Sequence, residues 1–345
     1  MNPEPTKIVQ ELKPYVPGEQ PRDMKYIKLN TNENPYPPAP GVFEAVKTAG
    51  LDRMRLYPDP LCKNLRGILS QKHGVETDRI FVGNGSDEVL RLLFQAYLSP
   101  GEILAITDPT YSLYPVLAAT FGAGIESVPL EEEGQLPQIP DPSRFRVMVI
   151  ASPNPPLGAV YSEEELEVLI KAAPSTLFII DEAYVDFAES DCMDLSKRYE
   201  NVAVCRTFSK SYSLAGIRVG YAVGCRGIIE NLYKIKDSYN VNYLSQVAAC
   251  AAVKAEEYYR QTASRIREDR EFLAGELREM GLRVYPSQGN FIFAEGEDGR
   301  KIYEGLKAAG ILVRYFDLPR LRRGVRITIG TRKEIEELLK ALAGL

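Results

Sequence analysis

Short apolar runs alternate with amphipathic segments over the first two thirds of the chain. Runs of four or five residues are short enough to be buried strands, and they span 79–82, 103–106, 147–150, 177–180, 202–205 and 219–223. Helical periodicity predicts helices over 87–98 and 163–172, and the second opens with the capping-box pattern Ser162-x-x-Glu165. This alternation favours an α/β fold with a largely parallel sheet covered by helices on both faces.

The two ends of the chain follow different patterns. Residues 1–40 are rich in proline, and KLNTNENPYPPAP cannot form a helix, so we expect an extended N-terminal arm. A larger domain is then expected over 41–242. From 243 to 345, one long helical stretch (245–280) precedes four short strands and two helices, which predicts a smaller α+β domain. The four strands are expected near 283–285, 290–294, 312–315 and 325–329.

Charge and hydropathy exclude several classes of protein. The 345 residues carry a net charge of −5, with basic residues scattered along the chain, which argues against nucleic acid or an anionic membrane as partner. No apolar stretch approaches the length of a membrane span, and the start lacks a secretory signal pattern. A cytoplasmic location is therefore expected.

Cysteine and histidine usage narrows the chemistry further. The five cysteines are far apart and form no CxxC pair, so neither a disulfide framework nor a sulfur-rich metal site is expected, and we predict no bound metal. The single histidine, His73, lies in a polar stretch that is typical of a helix end. An enzyme built on this chain would therefore use lysine, tyrosine or a carboxylate to move protons.

Ligands of open α/β sheets bind at the carboxyl ends of the strands, so the residues after each apolar run are the candidates. The first such junction, GNGSDE, places Gly85 and Ser86 where a strand passes into a helix. Backbone N–H groups at such a helix start favour a phosphate, although a tight capped turn is equally consistent with the pattern. The motif lacks the third glycine of the dinucleotide-binding fingerprint.

Four further junctions carry distinctive side chains. Tyr111 in DPTYSLY could stack on a planar ligand or pack at the sheet edge, and Asn154 in SPNPPLG could bind a ligand oxygen or serve a turn. Asp181 in DEAY follows a buried strand and needs a cation unless it caps the next element. In RTFSKSYSLAGIRVGY, Lys210 lies among small hydroxyl residues with Arg218 eight positions later.

Together these residues supply a reactive amine, a buried acid, a stacking ring and an anion cradle. A pyridoxal phosphate site requires this combination: a lysine for the Schiff base, an acid against the ring nitrogen, and donors for the phosphate. Asp181 precedes Lys210 by 29 residues, which fits one intervening strand that returns to the same sheet edge.

The chain resembles the fold-type I aminotransferases, and within them the histidinol-phosphate aminotransferase family. NTNENPYPP, YPDP, GNGSDEVL, DPTYSLY, SPNPPLG, DEAYVDF, RTFSKSYSLAGIRVGYA and VRITIGT carry the resemblance, which covers nearly the whole chain. It implies a large domain with a mostly parallel seven-stranded sheet and a smaller α+β domain. It also implies a transfer of the amino group between histidinol phosphate and 2-oxoglutarate by a ping-pong Schiff-base mechanism.

The resemblance assigns roles to individual residues. Lys210 would bind pyridoxal phosphate and transfer the substrate proton, Asp181 would keep the ring nitrogen protonated, and Tyr184 would bond the phenolic oxygen. Asn154 would share that oxygen, although the usual second asparagine is Pro155 here. The remaining cofactor contacts would be Tyr111 on the ring, Asp87, and, at the phosphate, Gly85, Ser86, Ser209 and Arg218 with Thr207 in support.

Substrate and partner contacts follow from the same resemblance. Arg326 would bind the carboxylate of glutamate or the phosphate of histidinol phosphate in turn, aided by Arg314. Tyr15 and Asn34 of the arm would lie near the imidazole. Tyr57 of YPDP would reach the cofactor phosphate of the neighbouring subunit, so a homodimer with shared sites is expected.

Three alternatives remain at this level. An aromatic amino acid aminotransferase, or a decarboxylase of a phosphorylated amino acid, would keep every cofactor residue. A ligand-sensing domain without turnover would need an appended DNA-binding module, and the proline-rich arm before residue 79 leaves no room for one.

Overall fold

The six apolar runs all form strands of one large sheet in the computed structural model, which describes residues 3–21 and 24–345. The strands of the described residues are β1 Ile27–Lys28, β2 Ile80–Gly83, β3 Ile103–Asp108, β4 Gly124–Pro129, β5 Val147–Ala151, β6 Leu177–Asp181, β7 Val202–Thr207, β8 Gly220–Gly224, β9 Arg283–Val284, β10 Phe291–Glu295, β11 Ile311–Leu312, β12 Arg314–Tyr315 and β13 Gly324–Thr328.

The large sheet has seven strands in the order β2-β8-β7-β6-β5-β3-β4. Strand β8 runs antiparallel to both of its neighbours, and the other pairs are parallel. The sequence pattern missed β4, because this edge strand buries only Val128 and so has no apolar run. The mostly parallel α/β prediction is confirmed.

Helices cover both faces of this sheet, and each face has its own apolar core. The helix over 163–172 has the predicted bounds, and Ser162 and Glu165 form the complete capping box. In the described residues the helices are α1 Lys7–Glu11, α2 Pro40–Lys47, α3 Lys63–His73, α4 Ser86–Tyr97, α5 Leu113–Thr120, α6 Glu163–Ala172, α7 Met193–Arg198, α8 Arg226–Ile235, α9 Tyr243–Lys254, α10 Glu256–Glu279, α11 Gly299–Ala308 and α12 Arg332–Leu342.

The C-terminal third contains a four-stranded antiparallel sheet in the order β12-β13-β10-β9, packed with α10, α11 and α12. The long helix expected over 245–280 is two helices, because the backbone of Ala255 leaves the helical region between α9 and α10. The strand expected over 312–315 is likewise divided, since β11 and β12 pair with different sheets.

The arm combines extended chain with two short elements. Helix α1 shows that the prediction of a wholly extended arm was wrong over Lys7–Glu11, a stretch that lies between prolines 5 and 14. Strand β1 pairs in parallel with β11 and ties the arm to the C-terminal part. The domain boundaries at 40 and 242 stay predictions. None of the helices in the described part of the chain is long and apolar enough to cross a membrane.

Candidate active site

Strand register brings the predicted junctions to one edge of the large sheet. Gly83 and Thr207 both pair with Gly220, and Ala151 and Cys205 both pair with Asp181. A cavity of about 200 Å³ lies at this edge. Of the sixteen residues expected in the site, twelve line it: Tyr15, Ser86, Asp87, Tyr111, Asp181, Tyr184, Thr207, Ser209, Lys210, Arg218, Arg314 and Arg326.

One end of the cavity is built to hold an anion. Helix α4 begins at Ser86, and Gly85 precedes it with a φ of 84°, in the left-handed region that favours glycine. Gly220 lies so close that a Cβ there would be 2.3 Å from the Ser86 backbone nitrogen. The strand and the helix start can therefore approach each other only through glycine.

A cation stands beside the same helix start. The Nη2 of Arg218 is 3.0 Å from Oδ2 of Asp87, and its Nη1 donates to Oγ of Ser209 at 3.3 Å. Thr207 supports this corner, because its Oγ1 accepts the backbone N–H of Ser209 at 3.1 Å. Hydroxyl groups, free N–H groups and a guanidinium thus converge on one point of the cavity.

Lys210 lies in the loop after β7 and is partly buried. Its Nζ donates to the backbone oxygen of Thr31 at 3.2 Å and lies 5.4 Å from the ring centroid of Tyr184. The described contacts of this amine therefore include no carboxylate, and it faces the cavity with an aromatic ring beside it.

Asp181 is the buried acid of the site. Its Oδ2 accepts the hydroxyl of Tyr114 at 2.7 Å, and its Oδ1 accepts the backbone N–H of Ala183 at 3.2 Å. Burial raises the pKa of Asp181 to about 6, although these hydrogen bonds and the charge of Lys210 act in the opposite direction. A cation placed against this carboxylate would be strongly stabilised.

Two tyrosines shape the walls of the cavity. The hydroxyl of Tyr184 accepts from Nδ2 of Asn32 at 3.0 Å, which leaves its own proton free for a second partner. Tyr111 contacts the rings of Tyr15 and Tyr114 edge-on, at centroid distances of 5.9 and 5.5 Å. A planar ligand at the sheet edge would therefore meet an aromatic surface.

Two arginines from the antiparallel sheet face the other end of the cavity. Arg314 and Arg326 are register partners in β12 and β13. Arg326 donates to the backbone oxygen of Asn30 at 2.9 Å, and among the described residues nothing bonds its buried Nε. Burial lowers the pKa of Arg326, as expected for a cation with few partners. A ligand anion would satisfy it.

Residues 24–342 match the family of class I and II aminotransferases. The chain belongs to this family. It is 44% identical over 342 residues to the histidinol-phosphate aminotransferase of Syntrophotalea carbinolica, with 98% of each chain covered. It is 42% identical over 341 residues to the enzyme of the same name from Microcystis aeruginosa, covering 98% and 97% of the two chains.

A solved structure has the same fold as this aminotransferase. The histidinol-phosphate aminotransferase from Sinorhizobium meliloti in complex with pyridoxal-5'-phosphate superposes with a TM-score of 0.91 at 27% identity, covering 98% of this chain and 96% of that one. The fold-type I aminotransferase fold expected from the sequence motifs is thereby confirmed.

Four expected site residues of the aminotransferase lie outside the cavity lining. Gly85 lies behind Ser86. Asn154 is fully buried, and its amide is bonded to Thr110 and to the backbone oxygen of Pro109 at 2.6 and 2.8 Å. Its place at the lining is taken by two residues of the same turn, Pro155 and Pro156.

The other two expected residues outside the cavity lining are Asn34 and Tyr57. The amide of Asn34 donates to the backbone oxygen of Ser211 at 2.9 Å, and two earlier arm residues, Asn30 and Thr31, line the cavity instead. Tyr57 is 80% exposed and stacks on Tyr239 with ring centroids 4.3 Å apart. It does not line this chain's own cavity.

Among the residues that sequence reasoning missed, Tyr114 and Asn32 hydrogen-bond to expected site residues, Asp181 and Tyr184. Tyr114 was visible as the second aromatic residue of DPTYSLY, three positions after Tyr111 and within the first turn of α5. Asn32 had no such pattern, because its partner Tyr184 is 152 positions away.

Proposed function

We propose that this protein transfers the amino group of L-histidinol phosphate to 2-oxoglutarate in L-histidine biosynthesis, with pyridoxal phosphate as cofactor. The products are imidazole-acetol phosphate and L-glutamate. The observation that carries the proposal is one cavity that joins Lys210 and Asp181 to a pair of cations, Arg314 and Arg326. Relatives named histidinol-phosphate aminotransferase at 41–44% identity over nearly the full chain support it.

The charged and hydrogen-bonding groups that line the cavity are suited to pyridoxal phosphate. The helix start at Ser86 with Arg218 beside it suits the phosphate, and the close glycine contact between β8 and α4 holds that helix start at the sheet edge. Asp181 is a buried carboxylate with no cation in hydrogen-bond contact among the described residues, and a protonated ring nitrogen would supply one.

Different residues of the cavity would bind different parts of the cofactor. Lys210 would bind its aldehyde carbon, Asp181 its ring nitrogen and Tyr184 its phenolic oxygen, while Tyr111 would cover the ring. Ser86, Thr207, Ser209 and Arg218 would bind the phosphate. When bound, pyridoxal phosphate supplies an electron sink for the bonds at the substrate Cα.

Side chains of the protein would transfer the protons and stabilise the charges of the reaction. Lys210, once free of the cofactor, would be the amine that takes the Cα proton and delivers it to the cofactor carbon within the same half-reaction. Asp181, whose ionised form is favoured by Tyr114 and Ala183, would hold the ring nitrogen protonated. Tyr184 can donate its hydroxyl proton into the cavity because Asn32 already occupies one of its lone pairs.

The arginine pair offers an anion site that both proposed substrates could use in turn. Arg326 with an unbonded Nε can take a carboxylate or a phosphate, and Arg314 adds a second cation at the same end. Histidinol phosphate would bring its phosphate to this end, and glutamate its carboxylate. Because phenylalanine and tyrosine also carry an α-carboxylate, the preference for the phosphorylated substrate over the aromatic alternative is supported by the relatives named histidinol-phosphate aminotransferase.

The test is half-transamination of the cofactor-loaded enzyme. The visible absorbance of the bound cofactor is followed as histidinol phosphate, glutamate, phenylalanine or tyrosine is added. We expect conversion by histidinol phosphate and by glutamate at low concentration. Conversion by phenylalanine without conversion by histidinol phosphate would overturn the substrate assignment and leave the cofactor assignment intact.

The active unit in this proposal is a homodimer. Tyr57, exposed and stacked on Tyr239, would reach the cofactor phosphate of the neighbouring subunit. Each site would then contain Lys210 from one subunit and Tyr57 from the other. The cytoplasmic location expected from the sequence stays a prediction.

A further inference from the structure

We propose that Tyr114 is a positioning residue for the cofactor, acting through Asp181. The inference rests on the proposed function, because Asp181 is the residue assigned to the cofactor ring nitrogen. Tyr114 lies at the start of α5, three positions after Tyr111, and its side chain is completely buried. Its hydroxyl donates to Oδ2 of Asp181 at 2.7 Å.

The two hydrogen bonds of Asp181 fix the plane of its carboxylate. Tyr114 holds Oδ2 from α5, and the backbone N–H of Ala183 holds Oδ1 from the chain just after β6. A carboxylate held by one donor at each oxygen cannot rotate without breaking both bonds. One free lone pair on each oxygen remains for a partner in the cavity.

Tyr114 is suited to this role because it stays a neutral donor. Burial and the neighbouring charge of Asp181 raise the pKa of its hydroxyl, so it keeps its proton at any working pH. It also stabilises the ionised form of Asp181 against burial and against the charge of Asp87, and Lys210 acts in the same direction. The other titratable groups that face Tyr114 are Tyr111 and Cys205.

The charge of Asp181 would decide whether a shared proton lies on the ring nitrogen of the cofactor or on the carboxyl group. An ionised Asp181 leaves that proton on the nitrogen, whereas a neutral Asp181 would keep it on the carboxyl group. Removing the Tyr114 hydroxyl raises the proton affinity of Asp181 and frees the carboxylate to rotate. Both effects weaken cofactor binding and change the electronic state of the ring.

The experiment compares Tyr114→Phe with the wild-type enzyme in two measurements that need no turnover. We expect the dissociation constant for pyridoxal phosphate, measured by adding it back to the cofactor-free protein, to rise about tenfold, as for loss of a hydrogen bond to a charged group. We also expect the pH midpoint of the visible absorbance change of the bound cofactor to shift.

Tyr161→Phe is the matched control. Tyr161 is also a buried tyrosine with one hydrogen bond, to the backbone oxygen of Gly134 at 2.9 Å, and it does not line the cavity. Its loss should lower thermal stability and leave the affinity and the absorbance midpoint unchanged. A Tyr114→Phe enzyme that behaves like Tyr161→Phe overturns the inference.

A double-mutant cycle with Asp181→Asn separates this inference from the proposed function. If Tyr114 acts through Asp181, adding Tyr114→Phe to Asp181→Asn changes cofactor affinity by less than about twofold. Equal, additive losses in both backgrounds contradict the inference. Failure of the wild-type protein itself to bind pyridoxal phosphate contradicts the proposed function instead.

Discussion

Single residues in this protein owe their chemistry to what surrounds them. Asp181 would titrate near 4 in water, but burial raises its pKa to about 6 in the folded chain. Because the folded state holds the proton more tightly than the unfolded state, this group lowers the stability of the cofactor-free protein as pH rises from about 4 to 6. A bound cation removes that cost.

Lys210 is the residue on which the proposed chemistry depends most directly. The Lys210→Ala enzyme should lack the yellow colour that borohydride bleaches in the wild type, because no amine remains to bind the aldehyde carbon. Its turnover should fall by roughly 10³-fold or more, as for loss of an acid–base group. The measurement is absorbance before and after borohydride. Lys236→Ala serves as a control, since Lys236 donates to the backbone oxygens of Asp237 and Ser238 and does not line the cavity. Retention of the bleachable colour in Lys210→Ala would contradict the role.

His73 allows a pH prediction that can be measured without overlap from other histidine signals, because the chain contains one histidine. Its Nε2 is 2.9 Å from the hydroxyl of Tyr221, and burial lowers its pKa to about 3. The unfolded chain takes up this proton near pH 6.5 and the folded chain does not. Stability from this group is therefore complete above pH 6.5 and is lost towards pH 3, at about 1.4 kcal/mol per pH unit.

The measurement is a proton NMR titration of the single imidazole. We expect its ring resonances to keep their neutral-state shifts from pH 8 down to pH 5. A titration midpoint near 6.5 in the folded protein would show that the ring is accessible to water and would refute the prediction.

At the scale of elements, the arm and the antiparallel sheet complete the cavity together. Both Nη atoms of Arg314 donate to arm carbonyls, those of Val16 and Pro17, at 2.8 and 2.9 Å. Glu19 bonds Lys307 and Tyr303 of α11. The arm is thereby positioned so that Tyr15 contacts Tyr111 at the cavity.

The pairing of β12 with β13 leads to a prediction about the two arginines, Arg314 and Arg326. Arg326→Ala should raise KM roughly 10- to 100-fold in both half-reactions, because its partly unbonded guanidinium is the group for either anion. Arg314→Ala should mainly affect the phosphorylated substrate, which brings more negative charge to this end. Steady-state kinetics with each substrate in turn give the comparison.

Arg300→Ala is a suitable control for these variants. Arg300 lies on the exposed side of α11, paired with Asp317 at 3.1 Å, and does not line the cavity. It should leave both KM values unchanged. If Arg314→Ala harmed the reaction with glutamate as much as that with histidinol phosphate, the division of roles between the two arginines would be wrong.

For the whole molecule, the proposed homodimer with shared sites makes a prediction about mixed dimers. Tyr57→Ala and Lys210→Ala should each damage both sites of such a homodimer. In a dimer with one subunit of each kind, one site combines Lys210 and Tyr57 that are both intact. The mixed dimer should therefore regain about half of the wild-type activity at limiting pyridoxal phosphate.

The measurement uses co-expressed subunits with different tags, purified in two steps so that only mixed dimers remain. Separately purified Tyr57→Ala dimers, assayed at the same cofactor concentration, are the control. Activity of the mixed dimer equal to the mean of the two parent dimers would show that Tyr57 does not act across the interface.

The local pattern of apolar and polar residues was sufficient to predict most strands of the large sheet and many of the residues at its edge. Strand ends are marked by apolar runs, and chain direction in a parallel sheet places those ends together, so Asp181, Ser209 and Lys210 could be grouped before any coordinates. Strand β4 and the break at Ala255 could not, because an exposed edge strand and a one-residue break leave helical and apolar periodicity unchanged.

The sequence by itself determined the kinds of chemical group present and the edge of the sheet at which they would gather. Only the tertiary structure decided their hydrogen-bond partners. It turned the amide of Asn154 towards Thr110, brought Asn32 to Tyr184, and set Tyr114 against Asp181. The reason is physical: spacing along a chain limits which elements can meet, but a hydrogen bond depends on distances and angles set by the packing of all of them.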